Sequence, residues 1–208
     1  MFKWFIIACI SVLSMGSIAQ EQFIAGQHYQ VIEKPVRTAD PSKIEVTEVF
    51  WYGCPHCNTF RPVFDQWKKQ QDDTIYTERS PAMWNKGMAM HARVFYTAKT
   101  LGKLDVMHKE IFDAMHIKRK RLLKEGEIYT LFEKHDVSKE QFNKVFSSFG
   151  VNSMVQQADA RARSYGITGT PEVIVNGKYR TSGRMAGSST SVLKVVEYLI
   201  EKEKALKS

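Results

Sequence analysis

Two thiols and an imidazole stand within four consecutive residues, Cys54-Pro55-His56-Cys57, in the stretch VTEVFWYGCPHCNTFRPVF. Cysteines spaced this way can close on each other as an inert staple, supply half of a zinc site, or exchange disulfides with another protein. A closed structural zinc site takes four ligands. The chain has three cysteines, the third being Cys9 near the start, so histidines would have to complete the set. His28, His91, His108, His116 and His135 fall at no ligand spacing. Redox exchange, by contrast, gives each residue type a reason for its place. At the start of a helix the first sulfur, Cys54, meets the free N–H groups of the first turn and is expected to face solvent as the nucleophile, while Cys57 points inward. Pro55 suits the first helical position, where its missing donor is no loss. His56 adds a donor or a positive charge beside the sulfur. A helix dipole supplies at most about 2 kcal/mol, or about 1.5 pKa units. A larger shift therefore needs direct N–H to sulfur bonds and His56. A thiolate stabilised that strongly favours the reduced protein, which makes the oxidised one an acceptor of electrons from other thiols.

Two further places could belong to the same chemistry. Glu48 lies six residues before Cys54 on the strand face of Ile44, Val46 and Phe50. It is either an edge residue open to water or a buried carboxyl with a raised pKa, able to relay a proton to or from Cys57. Arg79 and Glu78 compete for the position of its neighbour. Gly169-Thr170-Pro171 directly precedes a strand-like run. Proline is tolerated at a strand's first residue, and a cis bond would turn the Thr170 backbone toward the disulfide, where a trans bond would make an ordinary loop.

Positioning these residues requires a strand before the cysteines and a helix after them. Residues 44 to 52 are rich in β-branched and aromatic types and read as a strand largely buried on both faces. A helix is predicted over 55–70, kinked at Pro62, and a second strand over 74–79, with a short strand near 29–32. From 83 to 149 the period is helical: four successive helices, with Gly102 ending the first, Ser138 capping the fourth and Gly150 stopping it. Another helix is predicted over 152–165. Asn176-Gly177 between PEVIV and KYRTSG is a strong hairpin signal. The last helix, 189–204, gathers Val192, Val195, Val196, Leu199 and Ile200 on one face. This order reads as an α/β, thioredoxin-like fold (20–82 and 151–208) split by an all-helical insertion domain (83–150). Trp84, Phe95 and Tyr96 then fill the insertion's own core, or line a peptide groove.

The N-terminal run, with Lys3 as its only charge and Ser17-Ile18-Ala19 at its end, reads as a signal peptide cleaved after Ala19, which removes Cys9. The 30 Lys and Arg exceed the 22 Asp and Glu by a formal +8, and loss of Lys3 lowers that by one. The densest basic run, HIKRKRLLK at 116–124, reads as a solvated helix end or loop. No aromatic residues interleave its charges, which argues against nucleic acid.

The motif after an aromatic strand, together with AGQHYQVIEKPV and GITGTPEVIVNGKY, resembles the DsbA-type thiol:disulfide oxidoreductases of the bacterial periplasm. The resemblance covers essentially the whole chain after residue 19. It implies that Cys54 attacks, Cys57 resolves, His56 tunes, Glu48 is the buried acid, and Thr170-Pro171 is the cis-proline segment that contacts substrate. It further implies a Cys54–Cys57 redox disulfide donated to reduced, newly exported proteins through a mixed disulfide, reoxidation by a quinone-linked DsbB-type membrane partner, and no metal or soluble cofactor. Thr170 departs from the short apolar residue frequent at that position. Monomer is the default, since no long apolar stripe lacks an intramolecular role. The rivals are an isomerase or reductase using the same pair, a non-catalytic peptide-binding module, and a glutathione-using enzyme on a similar fold.

Overall fold

The computed structural model describes residues 23–207, so the signal-peptide reading and Cys9 lie outside the described residues. The chain runs β1 (Gln30–Val31), β2 (Ile44–Phe50), α1 (Pro55–Lys68), β3 (Ile75–Pro81), α2 (Lys86–Thr100), α3 (Leu104–His116), α4 (Glu125–Glu133), α5 (Lys139–Phe146), α6 (Phe149–Tyr165), β4 (Glu172–Val175), β5 (Tyr179–Ser182), α7 (Gly183–Ala186) and α8 (Ser189–Lys207). The five strands form one mixed sheet in the order β1-β5-β4-β2-β3. The interior strand β2 is parallel to the edge strand β3 and antiparallel to the central strand β4. Every residue of β2 is buried, as its wealth of β-branched and aromatic side chains predicts, and Glu45 and Glu48 are buried with them.

The two faces of β2 enter different cores. Ile44 and Val46 pack with Phe60, Phe64 and Trp67 of α1 and with the apolar face of α8, while Val49 packs with Met88 and Tyr165 on the other side. Val192, Val195, Val196, Leu199 and Ile200 are all buried, each stabilising the fold by about 1.5–3 kcal/mol. Helices α2 to α6 build another core around Phe95, Phe112, Phe132 and Phe142, which Phe50 of β2, Tyr52 and both cysteines of the motif join. Phe95 and Tyr96 belong to it, but Trp84 does not: it is 55% exposed, in the turn between β3 and α2.

Local signals set most element ends. Ser138 and Gln141 form a reciprocal capping box at the start of α5. Gly150 does not stop that helix. Ser147 and Ser148 separate α5 from α6, and Ser148 caps α6 by accepting from the Val151 N–H at 3.2 Å, so Gly150 lies inside the next helix, which starts at Phe149 rather than 152. The hairpin joining β4 to β5 turns at Asn176 and Gly177, both with positive φ (51° and 63°). A Cβ at Gly177 would stand 2.0 Å from the Val36 carbonyl oxygen, so only glycine lets the lead-in segment lie against this turn.

Candidate active site

Cys54 is the extended N-cap residue of α1, and Pro55 takes the first helical position. Its amide bonds to the Trp51 carbonyl at 3.0 Å, which folds the chain back tightly between strand and helix. Gly53 is required inside this turn, because a Cβ there would lie 2.3 Å from the Trp51 ring. Both cysteines are free thiols in this structure. Cys57 is fully buried, as predicted. Cys54 is less open than predicted, with 8% of its surface exposed, because the loop before β4 lies on it and the Thr170 carbonyl accepts from its Sγ at 3.2 Å. The peptide bond between Thr170 and Pro171 is cis.

The two thiols are pushed in opposite directions. Cys54 is lowered to about 5, first by the hydrogen bond from the Cys57 thiol, with burial opposing, and then by the Thr170 hydroxyl and the N–H groups of Cys57 and His56. The Thr170 carbonyl contact favours the protonated sulfur. It is outweighed by donors directed at the charged form. Burial holds Cys57 protonated, and its bond to the Cys54 thiolate requires that proton. His56 thus acts on the sulfur through its backbone. Its exposed side chain, with Phe60, Thr170, Pro171 and Met185, lines an open groove of about 520 Å³ beside the cysteines.

Glu48 is buried, not an open edge residue, at 1% exposure. Parallel pairing of β2 with β3 sets it opposite Arg79. The Arg79 guanidinium donates to Glu48 at 2.7 Å and to Asp65 of α1 at 2.7 Å, and lies 5.1 Å over the Phe64 ring. Burial pushes the Glu48 carboxyl above the usual range, with Arg79 pulling it down less strongly. Burial alone would lower Arg79, but Glu48 and Asp65 raise it. Glu78, the other candidate neighbour, pairs instead with Arg161 of α6 and Lys99 of α2.

Sequence reasoning missed a second tier around the site. His108 faces Tyr52 at 3.0 Å through Nδ1. Burial holds the Tyr52 phenol protonated and the His108 ring neutral, so the phenol donates. His116 bonds to the Tyr52 carbonyl at 2.7 Å, and His91 accepts from the Trp51 indole at 3.0 Å. These histidines are distant in sequence from their partners, so no local spacing announces them. Glu172, 4% exposed, accepts from the Thr168 and Gly169 amides at 3.0 and 3.1 Å and pairs with Arg180 at 3.1 Å, which fixes the loop carrying Thr170.

A mixed sheet with a helix-start dithiol facing a cis proline, and a helical insertion between β3 and α6, defines a thioredoxin-fold protein of the disulfide-exchanging class. The family model for the DSBA-like thioredoxin domain matches residues 74–194. Proteins named thiol:disulfide interchange protein DsbA are 35% identical in Pseudomonas aeruginosa over 199 residues (96% of this chain, 94% of the relative) and 35% in Azotobacter vinelandii over 204 residues (96% and 95%). The crystal structure of Pseudomonas aeruginosa DsbA superposes with a TM-score of 0.85 at 35% identity, covering 89% of this chain and 96% of that one. The oxidoreductase NmDsbA1 from Neisseria meningitidis gives 0.76 at 26% identity, covering 89% and 96%. The chain belongs to the DsbA-like thioredoxin family and is a protein-disulfide oxidoreductase.

Proposed function

We propose that the protein is a disulfide donor for newly exported proteins. In its oxidised form Cys54 and Cys57 are joined. A client thiolate attacks Cys54 Sγ, the Cys54–Cys57 bond breaks, and a mixed disulfide to Cys54 forms while Cys57 leaves as a thiolate and takes up a proton. The client's second thiolate then attacks its own sulfur in that bond and expels Cys54 as a thiolate. Two electrons pass to the protein and the client gains a disulfide. Cys57 resolves the mixed disulfide when the client does not. Glu48 passes the proton to and from Cys57, the N–H groups of His56 and Cys57 face Cys54 at the helix start that Pro55 opens, and Thr170 and Pro171 contact the client backbone. A quinone-linked membrane partner of the DsbB type takes the electrons away. The protein works as a periplasmic monomer after cleavage behind Ala19, with units at 20–82, 83–150 and 151–208 and no metal or soluble cofactor.

The observation that carries this reading is the contrast between the two sulfurs: Cys54 is drawn down to about 5, whereas burial keeps Cys57 protonated. A low-pKa leaving group makes expulsion of Cys54 fast and its disulfide oxidising. The purified oxidised protein should convert a reduced two-cysteine peptide stoichiometrically to its disulfide, and Cys54→Ser should abolish this. Equilibration with glutathione at a strongly reducing potential, or reshuffling of disulfides without net oxidation, would point to a reductase or isomerase instead.

A further inference from the structure

The basic run at 116–124 is not a free loop. It is fastened to the residues that lead into the cysteines. At the end of α3, His116 bonds through Nε2 to the Tyr52 carbonyl at 2.7 Å. From α2, His91 accepts the Trp51 indole N–H on Nδ1 at 3.0 Å, which leaves Nε2 to donate to the Arg121 carbonyl at 2.9 Å. Trp51 and Tyr52 stand three and two residues before Cys54, and the Trp51 carbonyl holds the Cys54 amide. Just after the second anchor Leu122 is fully buried with φ 50°, a plug that stops the loop from swinging outward. The segment connecting α3 to α4 is therefore part of the wall around the exchange site.

The charges on that wall are open. Arg119, Arg121 and Lys124 are exposed and Lys120 is half-buried. Lys118 pairs with Glu110 at 3.3 Å, but among the described residues Arg119, Lys120, Arg121 and Lys124 make no ion pair. Glu125 and Glu127 follow in the first turn of α4, where the helix N-terminus already favours them. The groove beside His56, Thr170 and Pro171 carries Arg180 and Arg184. Glu172 neutralises Arg180, whereas Arg184 is exposed and has no ion pair among the described residues. A polypeptide in that groove meets the uncompensated charge of Arg184, and one reaching the Trp51-Tyr52 segment before Cys54 meets that of the loop.

We propose that the loop 117–124 is a basic rim of the exchange site, and that the preferred clients are reduced polypeptides with Asp or Glu flanking the reacting cysteine. This rests on the disulfide-donor reading and names its client class. Exposed charges act mainly on encounter: they raise association rates by about 10- to 1000-fold for an opposite partner and lose that effect as salt rises. An anionic bilayer seated on the same side chains would lie over the motif and close it to clients, so the charge serves the client.

The test compares reduced two-cysteine peptides with identical cores and acidic, neutral or basic flanks, each mixed with the oxidised protein at low and high ionic strength. At low salt the acidic peptide should be oxidised about 10-fold faster than the basic one, and the ratio should fall toward one at high salt. Arg119→Glu combined with Arg121→Glu should bring the low-salt ratio to one or below, in a protein whose thermal unfolding confirms its fold. Lys139→Glu with Lys144→Glu, the same change in net charge on the exposed face of α5, should leave the ratio unchanged. Equal rates for acidic and basic peptides in the unaltered protein would overturn the proposal, as would a preference that survives reversal at 119 and 121. So would loop-dependent binding to phosphatidylglycerol vesicles without any charge preference among peptides, which would assign the loop to a membrane. Failure to oxidise all three peptides would count against the disulfide-donor reading itself, and the client preference would fall with it.

Discussion

Lowering Cys54 to about 5 makes the Cys54–Cys57 disulfide more oxidising. At pH 7 an ordinary thiol is still protonated, so the reduced protein gains two pH units' worth of ionisation, about 2.7 kcal/mol at about 1.36 kcal/mol per unit. For a two-electron couple this makes the protein more oxidising by about 59 mV than one with an unshifted thiol. Because the folded pKa is depressed, this stabilisation of the reduced form is largest at alkaline pH, above the ordinary thiol range. It shrinks by about 1.4 kcal/mol per unit as pH falls and is gone below the Cys54 midpoint. Above that midpoint reduction takes up one proton, on Cys57, and below it two. A plot of potential against pH should therefore steepen from about 30 to about 59 mV per unit as pH falls through 5. Thr170→Val removes a hydroxyl that donates to the ionised sulfur. A hydrogen bond to a charged group contributes about 1.5–3 kcal/mol, so the midpoint should rise by about one to two units. The protein should then become a weaker oxidant by about 30–50 mV at pH 7. Thiolate absorbance near 240 nm gives the midpoint, and equilibration with glutathione gives the potential. A midpoint in the ordinary thiol range, or a slope with no break, would refute the reasoning.

Other outcomes follow from the same contacts. Glu48→Ala strands the largely buried Arg79 with Asp65 alone and should cost about 3–5 kcal/mol in urea unfolding, whereas Glu48→Leu with Arg79→Met should cost less than the sum of the two single changes. His108 is held neutral by burial, with its pKa well below the ordinary value, so the oxidised protein should lose stability as pH falls below about 6.5, by up to about 1.4 kcal/mol per unit. His108→Gln should flatten that part of the curve. Gly177→Ala should destabilise by about 1 kcal/mol or more, read as a lower urea midpoint, because the new Cβ meets the Val36 carbonyl at a positive φ.

What could be read from sequence was whatever rests on neighbouring residues. The dithiol at a helix start, Pro55 in the first turn, the Asn176-Gly177 hairpin and the Ser138 cap all depend on contacts a few residues long. The stop assigned to Gly150 failed for a local reason too, since Ser148 is a stronger signal for starting a helix than glycine is for ending one. The partner of Glu48 could not be chosen because Glu78 and Arg79 point to opposite faces of β3, and only the register with β2 decides between them. The basic run looked like solvated loop because its anchors, His91 and His116, reach Trp51 and Tyr52 across 40 and 64 residues. Cys54 looked open because the Thr170 carbonyl that covers it comes from 116 residues further along.

Glu172 ties the bend that carries Thr170 to the first residue of the strand that follows it, and Arg180 on the adjoining strand completes the tie. Residues 168–172 and Arg180 consequently behave as one transplantable cassette. Grafting the bend from a relative without its own carboxylate and guanidinium would leave two amides looking for acceptors and should blur the surface on which a client chain lies. Moving the whole group together should carry the donor's client selectivity along with it.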